Sequence, residues 1–142
     1  MRWILALILV VITTSFGQPK ELQKEERCPI CGMSVSPKDK LLSQVKLKDG
    51  SYKFSESPKH VLKFYFLNQD KVSEIWVKDY NTGKWIDGKL AYYVIIQDGP
   101  MGPDLAPFST KLSATKFAKK EKVYSFKDIT RDLIEKLDTH TH

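Results

Sequence analysis

Cysteine and histidine are scarce in this chain of 142 residues, which contains two cysteines and three histidines. A zinc site normally takes four ligands, usually Cys and His, so a zinc site here needs both cysteines and two further donors. The histidines are poor candidates for that role. His60 lies early in a predicted helix, where a surface or capping position is expected, and His140 and His142 end a polar tail.

Long hydrophobic runs are absent after the first residues, so no later segment is expected to cross a membrane, which takes about 20 apolar residues. The N-terminus itself has one positive charge, Arg2, then an apolar run over 3–12, then Ser15 and Gly17 at the −3 and −1 positions of a cleavage site. This layout predicts a signal peptide over 1–17 and a periplasmic, exported protein. An uncleaved membrane anchor is the alternative.

Basic blocks interleaved with stacking aromatic residues are also absent, although the formal net charge is +6. Nucleic-acid binding is therefore not expected. The densest lysine cluster, at 116–122, is typical of a solvated helix face, and it is compatible with weak attraction to anionic lipid or an acidic partner. Removal of the signal peptide leaves a length that suits one ordinary domain or two very small ones.

The first half of the exported part begins with a polar tether, 18–27, and continues as a unit over 28–80. Asp49-Gly50 between two alternating runs predicts a β-hairpin. Ser57 as the capping residue and Pro58 in the first turn predict a helix, and 73–79 is typical of a strand.

The second half, 85–130, repeats this order. A strand at 90–97 is followed by a ten-residue Gly/Pro-rich loop at 98–107, a short helix and a last strand. The predicted fold class is α+β, with two similar strand–strand–helix–strand (ββαβ) units packed together, because units of this size rarely fold alone. A C-terminal helix and tail occupy 131–142.

The four sulfur-containing residues after the predicted signal peptide lie outside the hydrophobic segments that are predicted to form strands and helices. Cys28, Cys31 and Met33 share the segment CPICGM, and Met101 sits in GPMGP. Methionine usually fills a core, but glycine and proline favour turns that present its side chain. Thiolates and thioethers are soft ligands that select Cu(I). We therefore predict a copper site formed by one or both of Cys28 and Cys31 with Met101, and Met33 is a candidate fourth ligand. Asp87 and Trp85 are candidates to support the site, and core packing is the alternative role for Trp85.

Three alternatives remain for the cysteine pair. A thiol–disulfide protein acting through Cys28 and Cys31 would need a strand before the motif and a helix after it, and the sequence predicts neither. A structural zinc module would need two further donors. A disulfide between the two cysteines would close a very small loop and stabilise little, although it suits an oxidising compartment.

The chain resembles the NosL family across its exported part. The motifs that carry the resemblance are CPICGM at 28–33, WIDGKLAYYV at 85–94, GPMG at 99–102, PFS at 107–109, ATKFA at 114–118 and VYSFKDI at 123–129. They follow the family's order and spacing. The family's Cys-x-x-Cys-Gly-Met motif falls on Cys28, Cys31, Gly32 and Met33, and its Met-Gly falls on Met101 and Gly102.

The resemblance implies a periplasmic Cu(I) metallochaperone, not an enzyme. It implies that the receiving partner is nitrous oxide reductase or another copper enzyme, with a membrane maturation complex as a further partner, and that the fold contains two related ββαβ units. The sequence departs from the family in three places. It has no lipid-attachment cysteine after the signal, Gly88 replaces an alanine, and KKEK stands where relatives often have two glycines.

Overall fold

The computed structural model describes residues 17–138. The predicted signal peptide, apart from Gly17, and the tail histidines His140 and His142 lie outside these residues. The described part contains nine strands, three α-helices and one 3₁₀ turn, in the order β1 (Glu26–Arg27), β2 (Ser34–Val35), β3 (Ser43–Leu47), β4 (Tyr52–Ser55), α1 (Pro58–Leu67), β5 (Val72–Lys78), β6 (Trp85–Asp87), β7 (Tyr92–Gly99), β8 (Gly102–Phe108), α2 (Lys111–Ala118), β9 (Val123–Ser125), the 3₁₀ turn (Phe126–Asp128) and α3 (Arg131–Asp138).

The strands form three sheets, and every pairing in them is antiparallel. β1 and β2 make a two-stranded ribbon, a four-stranded sheet has the order β4-β3-β5-β6, and a three-stranded sheet has the order β8-β7-β9. The predicted mixture of helices with antiparallel sheets is therefore confirmed. The idea that the chain contains two related units stays a prediction.

The two hairpins differ in how well they were predicted. Asp49-Gly50 does lie in the turn between β3 and β4, where Gly50 has φ +90° and donates its N–H to the Leu47 carbonyl at 2.9 Å. The ten-residue loop predicted at 98–107 is wrong. β7 and β8 continue until Gly99 pairs with Gly102, and only Pro100 and Met101 form the turn.

The prolines of β8 explain that error. Pro103 and Pro107 suggested a loop, but β8 lies at the edge of its sheet. An edge strand tolerates proline because one side of its backbone has no partner strand to receive an N–H. Gly102, with φ +90°, adopts the left-handed conformation that completes the tight turn.

Helix α1 begins at Pro58, as predicted, but its cap differs from the prediction. Ser57 occupies the capping position, and its side chain makes no capping hydrogen bond. Instead, Asp104 of β8 accepts the Lys59 N–H through Oδ1 at 3.0 Å. A residue distant in sequence thus satisfies one of the free N–H groups at the start of the helix.

The largest apolar core contains residues of both larger sheets and of helices α1 and α3. Leu62 and Val61 of α1 pack there with Tyr93 of β7 and with Ile134 and Leu137 of α3. A second cluster surrounds Cys28, and a third lies under α2. Both sheets therefore depend on a shared core. Among the described helices, none is both long and apolar enough to cross a membrane.

The segment expected to be a polar tether makes specific contacts with the rest of the domain. The Gln44 side chain accepts the Lys20 N–H and donates to the Lys20 carbonyl, both at 2.9 Å, while Tyr52 Oη donates to the Gln18 carbonyl at 3.0 Å. Leu22 is buried beside Phe54 in the second cluster. These contacts hold 18–22 across the four-stranded sheet.

Replacing Leu62 by alanine is expected to lower the free energy of unfolding by about 2–5 kcal/mol, because it leaves a cavity where a wholly buried side chain stood. The control is Leu67→Ala on the same helix, whose side chain is 50% exposed and whose loss should cost less than about 0.5 kcal/mol. Urea unfolding followed by circular dichroism measures both. Equal effects would contradict the core assignment.

Candidate metal centre

The cysteine motif forms the turn between β1 and β2. Cys28 donates its N–H to the Met33 carbonyl, and Gly32 donates its N–H to the Cys28 carbonyl, each at 2.9 Å. Gly32 has φ +74°, a conformation that favours glycine. A two-residue strand therefore precedes the motif, which the sequence did not predict, and β2 rather than a helix follows it.

The turn places its sulfur atoms at different depths. Cys28 is only 2% exposed, Cys31 is half-buried, and Met33 is 43% exposed. Both cysteines are free thiols. The centre thus has a buried inner sulfur and a more accessible outer one.

Two residues complete the cluster: Glu56, just before α1, and His60, in the first turn of α1. Cys28, Cys31, Glu56 and His60 each place one donor atom so that all four atoms lie within 4.8 Å of one another. The expected surface or capping position for His60 is wrong, since this side chain is 1% exposed. Glu56 and His60 are four residues apart, a spacing that brings two side chains together at a helix start, and this was the available sequence signal.

Hydrogen bonds connect these four groups even without a metal. His60 Nδ1 contacts Glu56 Oε1 closely and lies 3.8 Å from Cys28 Sγ. The thiol of Cys31 donates to the same Glu56 oxygen at 3.4 Å. Cys28 Sγ also lies 3.5 Å from the hydroxyl oxygen of Ser55.

The opposite edge of the imidazole ring, which carries Nε2, is directed at the C-terminal helix α3. His60 Nε2 lies 3.3 Å from Asp138 Oδ1, and the second oxygen of Asp138 pairs with Lys63. Both ring nitrogens of His60 therefore face carboxylates. This arrangement fixes the orientation of the ring and favours its protonated form.

Burial and charge act in opposite directions on the pKa values of the cluster. Burial disfavours the imidazolium, but Cys28 and Glu56 outweigh it and raise the pKa of His60 to about 10. Burial likewise disfavours the Glu56 carboxylate, yet the hydrogen bond with His60 lowers the pKa of Glu56 to about 2. The two form a buried ion pair at neutral pH.

The two thiols are affected differently. Burial opposes ionisation of Cys28, but its hydrogen bonds with His60 and Ser55 prevail and lower its pKa. Burial raises the pKa of Cys31 to about 12, and the nearby negative charges of Cys28 and Glu56 add to the effect. Cys28 is therefore the thiol that ionises first, while a positive ion would be needed to stabilise the Cys31 thiolate.

The cluster fits a metal ion on its own chemistry. The second oxygen of Glu56 is buried and has no hydrogen-bond partner among residues 17–138. A buried carboxylate oxygen without a partner is costly, and a bound cation would supply one. Two thiols suit copper and zinc alike, whereas the imidazole and the carboxylate suit zinc better than Cu(I).

The methionine and supporting residues from the sequence prediction lie in different surroundings. Met101 is half-buried in the β7–β8 turn, and its carbonyl accepts a hydrogen bond from Lys59 Nζ at 3.1 Å. Trp85 packs beside the apolar cluster of Cys28, and Asp87 accepts the Lys89 N–H at 2.8 Å. The metal-binding roles of Met101 and Met33 remain predictions.

Comparisons with known proteins agree with this architecture. The fold matches the crystal structure of the copper chaperone NosL from Shewanella denitrificans with a TM-score of 0.65 and 23% identity, over 80% of this chain and 99% of that chain. No curated protein shows significant similarity to the chain. The sequence pattern of the NosL family matches residues 19–134, and this range includes all four residues of the candidate metal centre, Cys28, Cys31, Glu56 and His60. The chain therefore belongs to the NosL family.

Proposed function

We propose that this protein is a Cu(I) metallochaperone and not an enzyme. The observation that carries the proposal is the pair of free thiols, Cys28 and Cys31, gathered with His60 and Glu56 inside 4.8 Å. Thiolates are the ligands that Cu(I) prefers. Membership of the NosL family and a fold shared with a protein described as a copper chaperone support copper as the cargo.

In this proposal Cys28 and Cys31 bind Cu(I) as thiolates and Met101 adds its thioether. Glu56 and His60 act chiefly on the thiols, and Oε2 of Glu56, without a partner in the described part of the chain, is the atom of the pair that is available to the bound cation. His60 lowers the pKa of Cys28, and Glu56 holds the Cys31 thiol and the imidazole in place. A low coordination number leaves room for a donor atom of the receiving protein. The exposed thioether of Met33, beside the outer Cys31, is suited to that exchange.

The proposed receiver is nitrous oxide reductase or another exported copper enzyme, with a membrane maturation complex as a further partner. The support is the family assignment together with the signal-like N-terminus, which predicts the periplasm. We also propose that β3–β4–α1–β5 and β7–β8–α2–β9 are two related ββαβ units. The shared element order and the equivalent strand orders, β4-β3-β5 and β8-β7-β9, support this.

A structural zinc site is the second candidate. His60 and Glu56 supply the two further zinc ligands that were not identified from the sequence. Cys₂HisGlu would fill a tetrahedral zinc site. The thiol–disulfide alternative is weaker. Its reactive thiol should be exposed with a lowered pKa, whereas Cys28, the thiol with the lowered pKa, is 2% exposed.

Replacing both Cys28 and Cys31 by serine is expected to abolish Cu(I) retention, because serine oxygen is a poor ligand for a soft ion. Met101→Leu should weaken Cu(I) binding by roughly tenfold or more, equivalent to about 1.4 kcal/mol, while the fold is retained. Titration of the reduced protein against a competing Cu(I) chelator measures both effects. Wild-type protein that fails to compete for Cu(I) would overturn the proposed function.

Zinc and copper are separated by the metal-free state and by the same methionine variant. A copper carrier should remain folded when reduced and metal-free, take up one Cu(I), and release it on mild oxidation as the thiols form a disulfide. A structural zinc protein should unfold without metal, as judged by circular dichroism. Met101→Leu should then leave zinc affinity unchanged, and Glu56→Gln should reduce it sharply. That pattern would favour zinc over copper.

A further inference from the structure

Lys59 is a buried lysine that lies between the site residues Glu56 and His60 in the chain. Its side chain is 0% exposed, which is rare for lysine unless the ammonium is paired. The ammonium donates to two main-chain carbonyls, Met101 O at 3.1 Å and Pro103 O at 2.9 Å. Both carbonyls belong to the β7–β8 hairpin. The residue beside His60 thus anchors the Met101 turn.

A second contact ties the same two elements together. The backbone N–H of Lys59 donates to Asp104 Oδ1 at 3.0 Å, and Asp104, itself wholly buried, also accepts the Leu105 N–H at 2.8 Å. Asp104 therefore caps α1 at the residue whose ammonium holds the hairpin. Capping alone does not explain the lysine, because Asp104 bonds to its backbone and any residue other than proline offers that N–H.

The hairpin leaves little freedom for the turn to move away from this anchor. A Cβ added at Gly99 would lie 2.6 Å from the Asp104 Cβ, so the turn packs directly on the capping residue. In the same helical turn, the next residue is His60, and its Nδ1 lies 3.8 Å from Cys28 Sγ. The first turn of α1 thus holds the Met101 turn through Lys59 and faces the cysteine pair through His60.

We propose that Lys59 is a positioning residue for the metal centre: its buried ammonium holds the Met101 turn where the thioether can join Cu(I) bound by the cysteines. This inference rests on the proposed function, and in particular on Met101 as a ligand. Burying an ammonium is destabilising unless hydrogen bonds compensate for the lost water. An anchor made of main-chain carbonyls fixes the backbone of the turn and leaves the Met101 side chain free to bind.

The test is a double-mutant cycle of Lys59→Leu with Met101→Leu. Leucine removes the ammonium and introduces no sulfur that could bind copper. Cu(I) affinity is measured by chelator competition on the reduced, metal-free protein. Lys59→Leu is expected to weaken Cu(I) binding about 10- to 100-fold, the usual range for residues that orient a metal ligand. In the Met101→Leu background the same substitution should cost almost nothing further, because the ligand that it positions is gone.

X-ray absorption at the copper edge provides a readout that a merely structural lysine would not change. Both single variants should lose one sulfur from the Cu(I) coordination sphere. Lys53→Leu is the matched control, since it removes an exposed lysine of β4 and should leave both affinity and sulfur count unchanged. Circular dichroism establishes that each variant is folded. If Lys59→Leu does not fold, Lys59→Gln, which keeps a neutral donor, replaces it in the cycle.

The outcomes separate the inference from the proposed function. Additive losses in the cycle, an unchanged sulfur count in folded Lys59→Leu, or failure of both Lys59 variants to fold would overturn the inference alone. Unchanged Cu(I) affinity in Met101→Leu would overturn the ligand assignment and the inference together. Absence of Cu(I) binding by the wild-type protein would overturn the proposed function itself.

Discussion

The burial of charge at the start of α1 is the constraint on which the rest of the structure depends. Glu56, Lys59 and His60 are each less than 4% exposed, within five consecutive residues. An unpaired charge in a protein interior is destabilising by several kcal/mol, so each of these groups needs a partner. Those partners come from separate parts of the chain. The cysteine turn, the β7–β8 hairpin and the end of α3 all meet at this one helical turn.

This convergence links the two larger sheets to the metal centre. α1 packs in the main core with residues of both sheets, and Asp104 of the three-stranded sheet caps it. The centre is therefore not a loop added to a finished domain. Its inner residues, Cys28 and His60, are as buried as the apolar core. A change in the core around α1 would consequently be felt at the site.

The difference in depth between the two thiols suits binding and release of an ion. Cys28 is the deeper thiol, with a pKa lowered by His60 and Ser55 against the effect of burial. Cys31 is more accessible, and burial together with the negative charges of Cys28 and Glu56 raises its pKa to about 12. In the proposed function, Cys28 is the thiol prepared for the metal and Cys31 is the ligand open to exchange.

Local sequence determined the turns and helices whose formation depends mainly on residues close together in the chain. The Asp49-Gly50 hairpin, the helix beginning at Pro58 and the C-terminal helix follow from turn chemistry and from hydrophobic spacing, which act over a few residues. The cysteine pair was recognisable as a metal-binding candidate for the same reason. The Gly/Pro-rich segment 98–107 was misjudged, because an edge position in a sheet makes its prolines acceptable and sheet order is not a local property.

Only the tertiary structure decided which residues face the cysteines. In the sequence, the spacing of Glu56 and His60 indicates that their side chains can meet, but it does not indicate whether that pair faces solvent or sulfur. The burial of His60 follows from the packing of the β1–β2 turn, α1 and α3 against one another. The replacement of Ser57 by Asp104 as the cap follows from the packing of β8 against α1. Pairing of buried charges requires groups that are distant in the chain, since the satisfaction of each depends on the whole fold.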